Sequence, residues 1–229
     1  YASASFTGMP APALDNPDAM ASTAVGSSLK IHFKDGSSQE VKLAYHAFFN
    51  TGDMVADGRG NTGLAGGYLD IKGQPIIDRS VPGKERPFFS DGPDGTSLLK
   101  LNTTNVKGVQ GKPVFAVVQF EYLSQDQHGN DMYGVLPSPM AVLTLDQNPK
   151  TGHLKLVQYQ PVDTSPAHGL WITCGASLSP WNTHLSSEEY EPDALSIDQN
   201  KQFRAFSQNL YGDPDKANPY HYGHLPEVT

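Results

Sequence analysis

Val114-Phe-Ala-Val-Val-Gln-Phe-Glu-Tyr122 is the stretch that decides the fold class. It is a nearly continuous β-branched and aromatic run, which is typical of a buried strand. Two further strand-like segments, Met140–Leu145 and Leu154–Tyr159, follow it and are joined by the turn Asp146–Gly152. Strands and turns that recur at short intervals predict an all-β protein. Sandwich, barrel and propeller all remain open, because no clean repeat distinguishes them.

Composition agrees with this class and excludes others. The 229 residues suffice for one domain, and 22 glycines and 18 prolines favour turns over long helices. The net charge of −8, with no basic cluster, argues against a nucleic-acid partner. No apolar run is long enough to span a bilayer, and the single cysteine excludes an intramolecular disulfide.

Segments on either side of the central strands have patterns of their own. Residues 1–28 are small, polar and proline-bearing, and predict an extended N-terminal arm. Leu29–Phe33 and Gln39–Tyr45 flank an Asp-Gly turn, which is a strong hairpin signal. Near the other end, Phe203, Phe206 and Leu210 form one apolar stripe, so we expect a short helical insertion near 196–211.

The segment from Cys174 to Glu189 carries the most chemistry. It holds the only cysteine and the carboxylate pair Glu188-Glu189. Thiolate favours iron, zinc or copper, whereas carboxylates also suit calcium and magnesium. A small buried hydrophobe and a solvated acidic pair are equally compatible with these residues, so composition alone leaves the metal site open.

A serine nucleophile is a second chemical option in this region. Ser177, Ser179 or Ser187 would pair with His168 or His184. The strand–G-x-S-x-G–helix context of a nucleophile elbow is missing, however, so the sequence gives this option little support.

The stretch Cys174-Gly-Ala-Ser-Leu-Ser-Pro-Trp-Asn-Thr-His-Leu-Ser-Ser-Glu-Glu189 resembles the signature segment of the PhoX family of alkaline phosphatases. Cys174 and Glu189 stand as far apart as the cysteine and the second glutamate of that pattern. The pattern's proline, tryptophan, threonine and leucine are also matched, by Pro180, Trp181, Thr183 and Leu185. The segment departs from it where Ala176-Ser177 replaces two glycines, Asn182 replaces another, and Ser187 replaces a second cysteine.

The resemblance implies a six-bladed β-propeller with a cluster of iron and calcium. Cys174 would be an iron ligand and Glu189 a carboxylate ligand. Glu188 would not bind the metal itself but would orient a metal ligand or a water. Trp181 would pack beneath the loop that the segment forms. The implied activity is hydrolysis of small phosphate monoesters. A metal-dependent phosphodiesterase, esterase or lactonase, and a secreted propeller that only binds, are the alternatives.

The resemblance also carries expectations about the whole protein. The family is exported, commonly by the twin-arginine route, so a periplasmic or secreted location is expected. The start at Tyr1, without methionine or a signal peptide, indicates a processed product. Because family members are much longer, residues 29–229 would be the N-terminal portion of the propeller. A second chain from a nicked or processed precursor would complete it.

Overall fold

The computed structural model describes residues 1–102 and 105–229, and the chain divides into two compact units, Tyr1–Ala47 and Phe48–Thr229. Antiparallel strands make up most of its regular structure and form several small sheets. The all-β prediction is therefore confirmed.

The first unit is a three-stranded antiparallel sheet with a short helix. Its elements are β1 (Ser3–Thr7), α1 (Pro17–Met20), β2 (Ser28–His32) and β3 (Ser38–Lys42), and the strand order is β1-β2-β3. The predicted hairpin is confirmed, since β2 pairs with β3 across a turn in which Gly36 takes a positive φ of 86°. Residues 1–28 include β1, which pairs with β2, and the short helix α1. The first unit extends to Ala47.

The second unit opens with two short hairpins and continues into the main sheet. The hairpins are β4 (Met54–Ala56) with β5 (Thr62–Leu64) and β6 (Ile77–Asp78) with β7 (Arg86–Pro87). The sheet contains β8 (Pro93–Leu99), β9 (Lys112–Phe120), β10 (Met140–Gln147) and β11 (Leu154–Pro161). Each strand pairs antiparallel with the next, so the sheet is a meander.

The predicted buried strand lies inside this main sheet. Its last five strand residues, 116–120, are buried, because β9 is flanked by β8 and β10 and covered on its faces. The core around it is apolar and consists of Ala65, Ala116, Val118, Phe120, Ala141, Leu143, Leu145 and Tyr159. Burial of this apolar surface is the main force that holds the sheet in place.

A three-stranded sheet and a helix complete the unit. The sheet has the order β12 (Thr173–Leu178), β13 (His184–Glu188), β14 (Glu227–Val228). The predicted helix is confirmed as α2 (Lys201–Tyr211), capped by the Asn200 side chain, which accepts a hydrogen bond from the backbone N–H of Phe203. In the described part of the chain, no helix has both the length and the apolar character needed to cross a membrane.

The helix packs against the segment that leads into β12. Phe203 and Phe206 are fully buried beside Trp171 and Ile172. Ile172 adopts a left-handed φ of 52°, and its carbonyl accepts a hydrogen bond of 2.8 Å from the backbone N–H of Glu189. Helix packing and this hydrogen bond thus fix the open end of the β12–β13 hairpin, where β12 begins and β13 ends.

Candidate functional site

Cys174 lies in a bulge of β12. The register between β12 and β13 shifts between Thr173 and Ala176, so Cys174 and Gly175 fall outside regular pairing. Bulges of this kind change the direction in which a side chain points, and they are common beside functional sites. The cysteine is a free thiol and is partly buried.

A close approach of β8 to β12 brings Asp94 beside this bulge. A Cβ atom added at Gly95 would lie 2.6 Å from the Ala176 Cβ and 2.7 Å from the Cys174 carbonyl oxygen. Only glycine permits this separation, so Gly95 determines how near Asp94 lies to Cys174.

Three carboxyl groups and one thiol from four strand ends meet here, and we call Asp94, Glu121, Cys174 and Glu189 the acidic–thiol cluster. Glu121 follows the last residue of β9, and Glu189 follows the last residue of β13. The Glu121 carboxyl interacts with those of Asp94 and Glu189, and the Cys174 thiol interacts with Asp94. The two residues named from the sequence, Cys174 and Glu189, are therefore brought together with two carboxylates that the sequence did not indicate.

Every ionisable group of the acidic–thiol cluster is an acid, so each disfavours the ionisation of its neighbours. Burial raises the pKa of Glu121 to about 7, and the charges of Asp94 and Glu189 add to this effect. Burial also raises the pKa of the Cys174 thiol, again with the three carboxylates adding to it. The neighbouring charges that act most strongly on both groups are carboxylates, so a bound cation would relieve their repulsion.

Two tyrosines hold the Glu189 carboxylate. The Tyr133 hydroxyl donates a hydrogen bond of 3.0 Å to Glu189 Oε2. Burial and this bond raise the pKa of Tyr133, and a hydrogen bond with Glu189 raises that of Tyr190. Glu189 is thus an exposed carboxylate with a fixed orientation, which suits a ligand better than a freely solvated side chain would.

Glu188 points away from Glu189 and contacts backbone. Its carboxylate accepts hydrogen bonds from the backbone N–H groups of Trp171, Gly223 and His224, at 2.7, 2.6 and 3.1 Å. Burial raises the pKa of Glu188, while the three donors oppose that rise. These contacts give it a structural role in holding the chain before β12 and the chain before β14 against β13.

Trp181 does not pack beneath the loop as expected. Its side chain is 65% exposed, and its indole N–H donates to Glu227 Oε1 at 2.5 Å. The tight turn at 179–182 directs it outward, with Asn182 at a left-handed φ of 68°. Asparagine tolerates this conformation better than most residues, so Asn182 fits the turn.

The serines and histidines of the nucleophile alternative have other partners. Ser179 Oγ lies 2.7 Å from Thr183 Oγ1, and Ser187 Oγ donates to the Gly175 carbonyl at 3.1 Å. His184 Nδ1 lies 2.9 Å from Ser97 Oγ, and the His168 ring stacks on that of His221 at 3.9 Å. The geometry therefore does not favour serine catalysis by this set.

The donor atoms of the acidic–thiol cluster are of the kinds that bind iron and calcium. One thiol and three carboxylates match the ligand preferences of iron and calcium in kind. Among residues 1–102 and 105–229, no three histidine, cysteine, aspartate or glutamate side chains are placed to hold one ion together. The cluster thus supplies donors of a suitable kind that interact in pairs, and they are not already arranged around one ion position.

Sequence reasoning missed Asp94 and Glu121. Asp94 stands in an Asp- and Gly-rich turn that fits ordinary turn chemistry, so its carboxylate gave no separate signal. Glu121 is the one acidic residue in the apolar run 114–122, and a charge at the end of a buried strand was the available signal.

Comparisons with known proteins do not identify the chain. It matches no family model, no curated protein and no solved structure. The case for the site therefore depends on the resemblance of one short segment and on the geometry around Cys174.

Stability should depend on pH through Glu121. Its pKa in the folded chain, about 7, is above the ordinary 4.5, so its contribution to stability is present below 4.5 and is lost as pH rises through about 7. In chelator-treated protein, we expect the melting temperature to fall over this window and the slope to flatten in Glu121→Gln. Glu191→Gln, at an exposed glutamate, is the control and should keep the wild-type slope. An unchanged slope in Glu121→Gln would contradict this assignment.

Proposed function

We propose that the chain belongs to a metal-dependent hydrolase of phosphate monoesters, with the acidic–thiol cluster as its metal-binding residues. One observation carries the proposal: Cys174 and Glu189, named by the phosphatase resemblance, lie with Asp94 and Glu121 from a different sheet. If the segment resembled a metal site only by chance, two further carboxylates would not be expected beside Cys174 and Glu189.

The strand arrangement supports a propeller as the finer architecture. The meander β8–β11 has the four antiparallel strands of a propeller blade. The first strands of consecutive sheets, β8 and β12, lie side by side. Inner strands of neighbouring blades have this relation around a channel, and Asp94 and Cys174 would face it from adjacent blades.

Iron and calcium would be held by the thiolate of Cys174 and by the carboxylates of Asp94, Glu121 and Glu189. When bound, such ions polarise phosphoryl oxygens and neutralise the charge of the leaving group. The chain's own groups prepare this chemistry. Glu121, whose pKa is raised to about 7, would release its proton when a cation binds, and Tyr133 fixes the Glu189 carboxylate.

The test is metal content measured together with turnover of a small aryl phosphate. Native protein containing this chain should hold iron and calcium, whereas Cys174→Ala and Glu189→Gln should lose both ions and reduce turnover by at least about 100-fold. Glu191→Gln is the matched control, because this exposed glutamate lies two positions from Glu189.

Other outcomes separate the alternatives. Full metal content and full turnover in both variants would remove Cys174 and Glu189 from the site. Bound metal with cleavage of a diester, carboxylic ester or lactone instead of a monoester would redirect the proposal to another hydrolase. Calcium without any hydrolysis would favour a binding protein.

A further inference from the structure

Buried polar side chains from three strands hold the backbone at Cys174. Ser97, Gln119 and His184 belong to β8, β9 and β13, and all three are buried. The Gln119 side-chain nitrogen donates to the carbonyl oxygens of Cys174 and Gly175, the latter at 3.2 Å. These carbonyls lie in the β12 bulge, where the register shift interrupts the ladder. Gln119 donates to both of them, and the Ser187 hydroxyl of β13 adds a hydrogen bond of 3.1 Å to the Gly175 carbonyl.

The two carbonyls determine the orientation of the Gln119 amide. A carbonyl oxygen can only accept, so the amide must present its NH₂ group to Cys174 and Gly175. Its oxygen, Oε1, then faces His184 Nε2 at 3.3 Å. Since Oε1 is also only an acceptor, the ring proton of His184 must be on Nε2.

Ser97 completes the chain of hydrogen bonds. With the proton on Nε2, the neutral ring has a lone pair on Nδ1, which lies 2.9 Å from Ser97 Oγ. The serine hydroxyl therefore donates to Nδ1. Both ring nitrogens have a partner, and burial lowers the pKa of His184, which favours the neutral ring that this arrangement needs.

We infer that His184 is a positioning residue for the Cys174 thiol: its neutral Nε2–H tautomer fixes the Gln119 amide, which in turn holds the bulge that carries the cysteine. The inference goes beyond the proposed metal centre, to which it adds a residue that contacts no ligand. Its importance for catalysis rests on the proposed function, whereas the tautomer and the fixed bulge do not.

The tautomer of the His184 ring can be determined by NMR in the wild-type protein. ¹⁵N NMR of histidine-labelled, chelator-treated protein at neutral pH should show His184 as the neutral Nε2–H form. An Nδ1–H tautomer or an imidazolium would overturn the inference. This measurement needs no variant to fold, no metal and no substrate.

Alkylation of Cys174 tests the positioning role. Because the chain has a single cysteine, the rate of reaction with iodoacetamide reports on this thiol alone. In chelator-treated protein, His184→Phe should raise the rate about fivefold to tenfold, since loss of the ring's hydrogen bonds loosens the bulge. His184→Gln keeps an N–H donor near the Nε2 position and should stay within about twofold of wild type.

A control and the contrary results complete the test. His128→Phe changes an exposed histidine and should leave the rate unchanged. A folded His184→Phe protein with the wild-type rate, or a His184→Gln protein as fast as His184→Phe, would overturn the positioning role. Because neither metal nor turnover enters these readouts, failure of the metal proposal and failure of this inference give different results.

Discussion

Glu188→Ala should lower the free energy of unfolding by about 3–5 kcal/mol, the size expected when a buried ionic partner is removed from several donors. The carboxylate accepts from three backbone N–H groups that belong to two separate segments. Without it, the Trp171, Gly223 and His224 donors lose their shared acceptor, and the chain before β14 loses its attachment to β13. Chemical denaturation of the two proteins at neutral pH measures the difference.

The adjacent glutamate provides the matched comparison. Glu189 is exposed and lies among carboxylates, so Glu189→Ala in chelator-treated protein should change stability by less than about 0.5 kcal/mol. A large loss of unfolding free energy in Glu188→Ala, together with a small loss in Glu189→Ala, would show that Glu188 is structural and would leave Glu189 as a candidate ligand. Equal losses in the two variants would contradict the roles assigned to them.

Phe206→Ala should destabilise the second unit by a comparable amount. Phe206 is fully buried, and its ring lies 5.1 Å from that of Tyr222 and 5.5 Å from that of Phe203. Truncation of a buried phenylalanine costs about 3–5 kcal/mol through lost transfer free energy and the cavity left behind. For a protein of this size that corresponds to a fall in melting temperature on the order of 10 °C.

Calorimetry of Phe206→Ala and Leu195→Ala checks this prediction. Leu195 is 98% exposed in the same unit, so its truncation should leave the melting temperature within about 2 °C of wild type. Because Trp171 and Ile172 lie between α2 and Cys174, Phe206→Ala should also speed alkylation of the cysteine. A melting temperature equal to that of Leu195→Ala would show that α2 is not part of the unit's core.

Local patterns were the part of this fold that the sequence predicted. The β2–β3 hairpin follows from an Asp-Gly turn between alternating segments, and α2 follows from one apolar stripe that ends at a left-handed glycine, Gly212. Both depend on residues a few positions apart. The N-terminal strand β1 was missed because its residues, Ser3–Thr7, are mostly small and polar, and their partners in β2 lie about 20 to 30 positions away in the chain.

Contacts between residues of different sheets could not be predicted from the sequence. Asp94 meets Cys174 only because Gly95 allows β8 to approach β12, and nothing near either residue signals that approach. From the sequence, His184 was considered only as a partner for a serine nucleophile, and no positioning role was predicted for it. Its partners Ser97 and Gln119 are far away in the chain, and only the folded arrangement shows the connection.

The left-handed backbone at Ile172 restricts which residues evolution can place there. A β-branched residue at a φ of 52° carries strain of about 1–3 kcal/mol, yet this side chain is only 1% exposed and fills the core beside α2. Glycine would relieve the strain and leave a cavity, whereas asparagine would fit the backbone and bury an amide. Neither substitution at position 172 thus provides both an unstrained backbone and a filled apolar core. Sequences that drift away from it must alter the helix packing and the entry to the cysteine strand together.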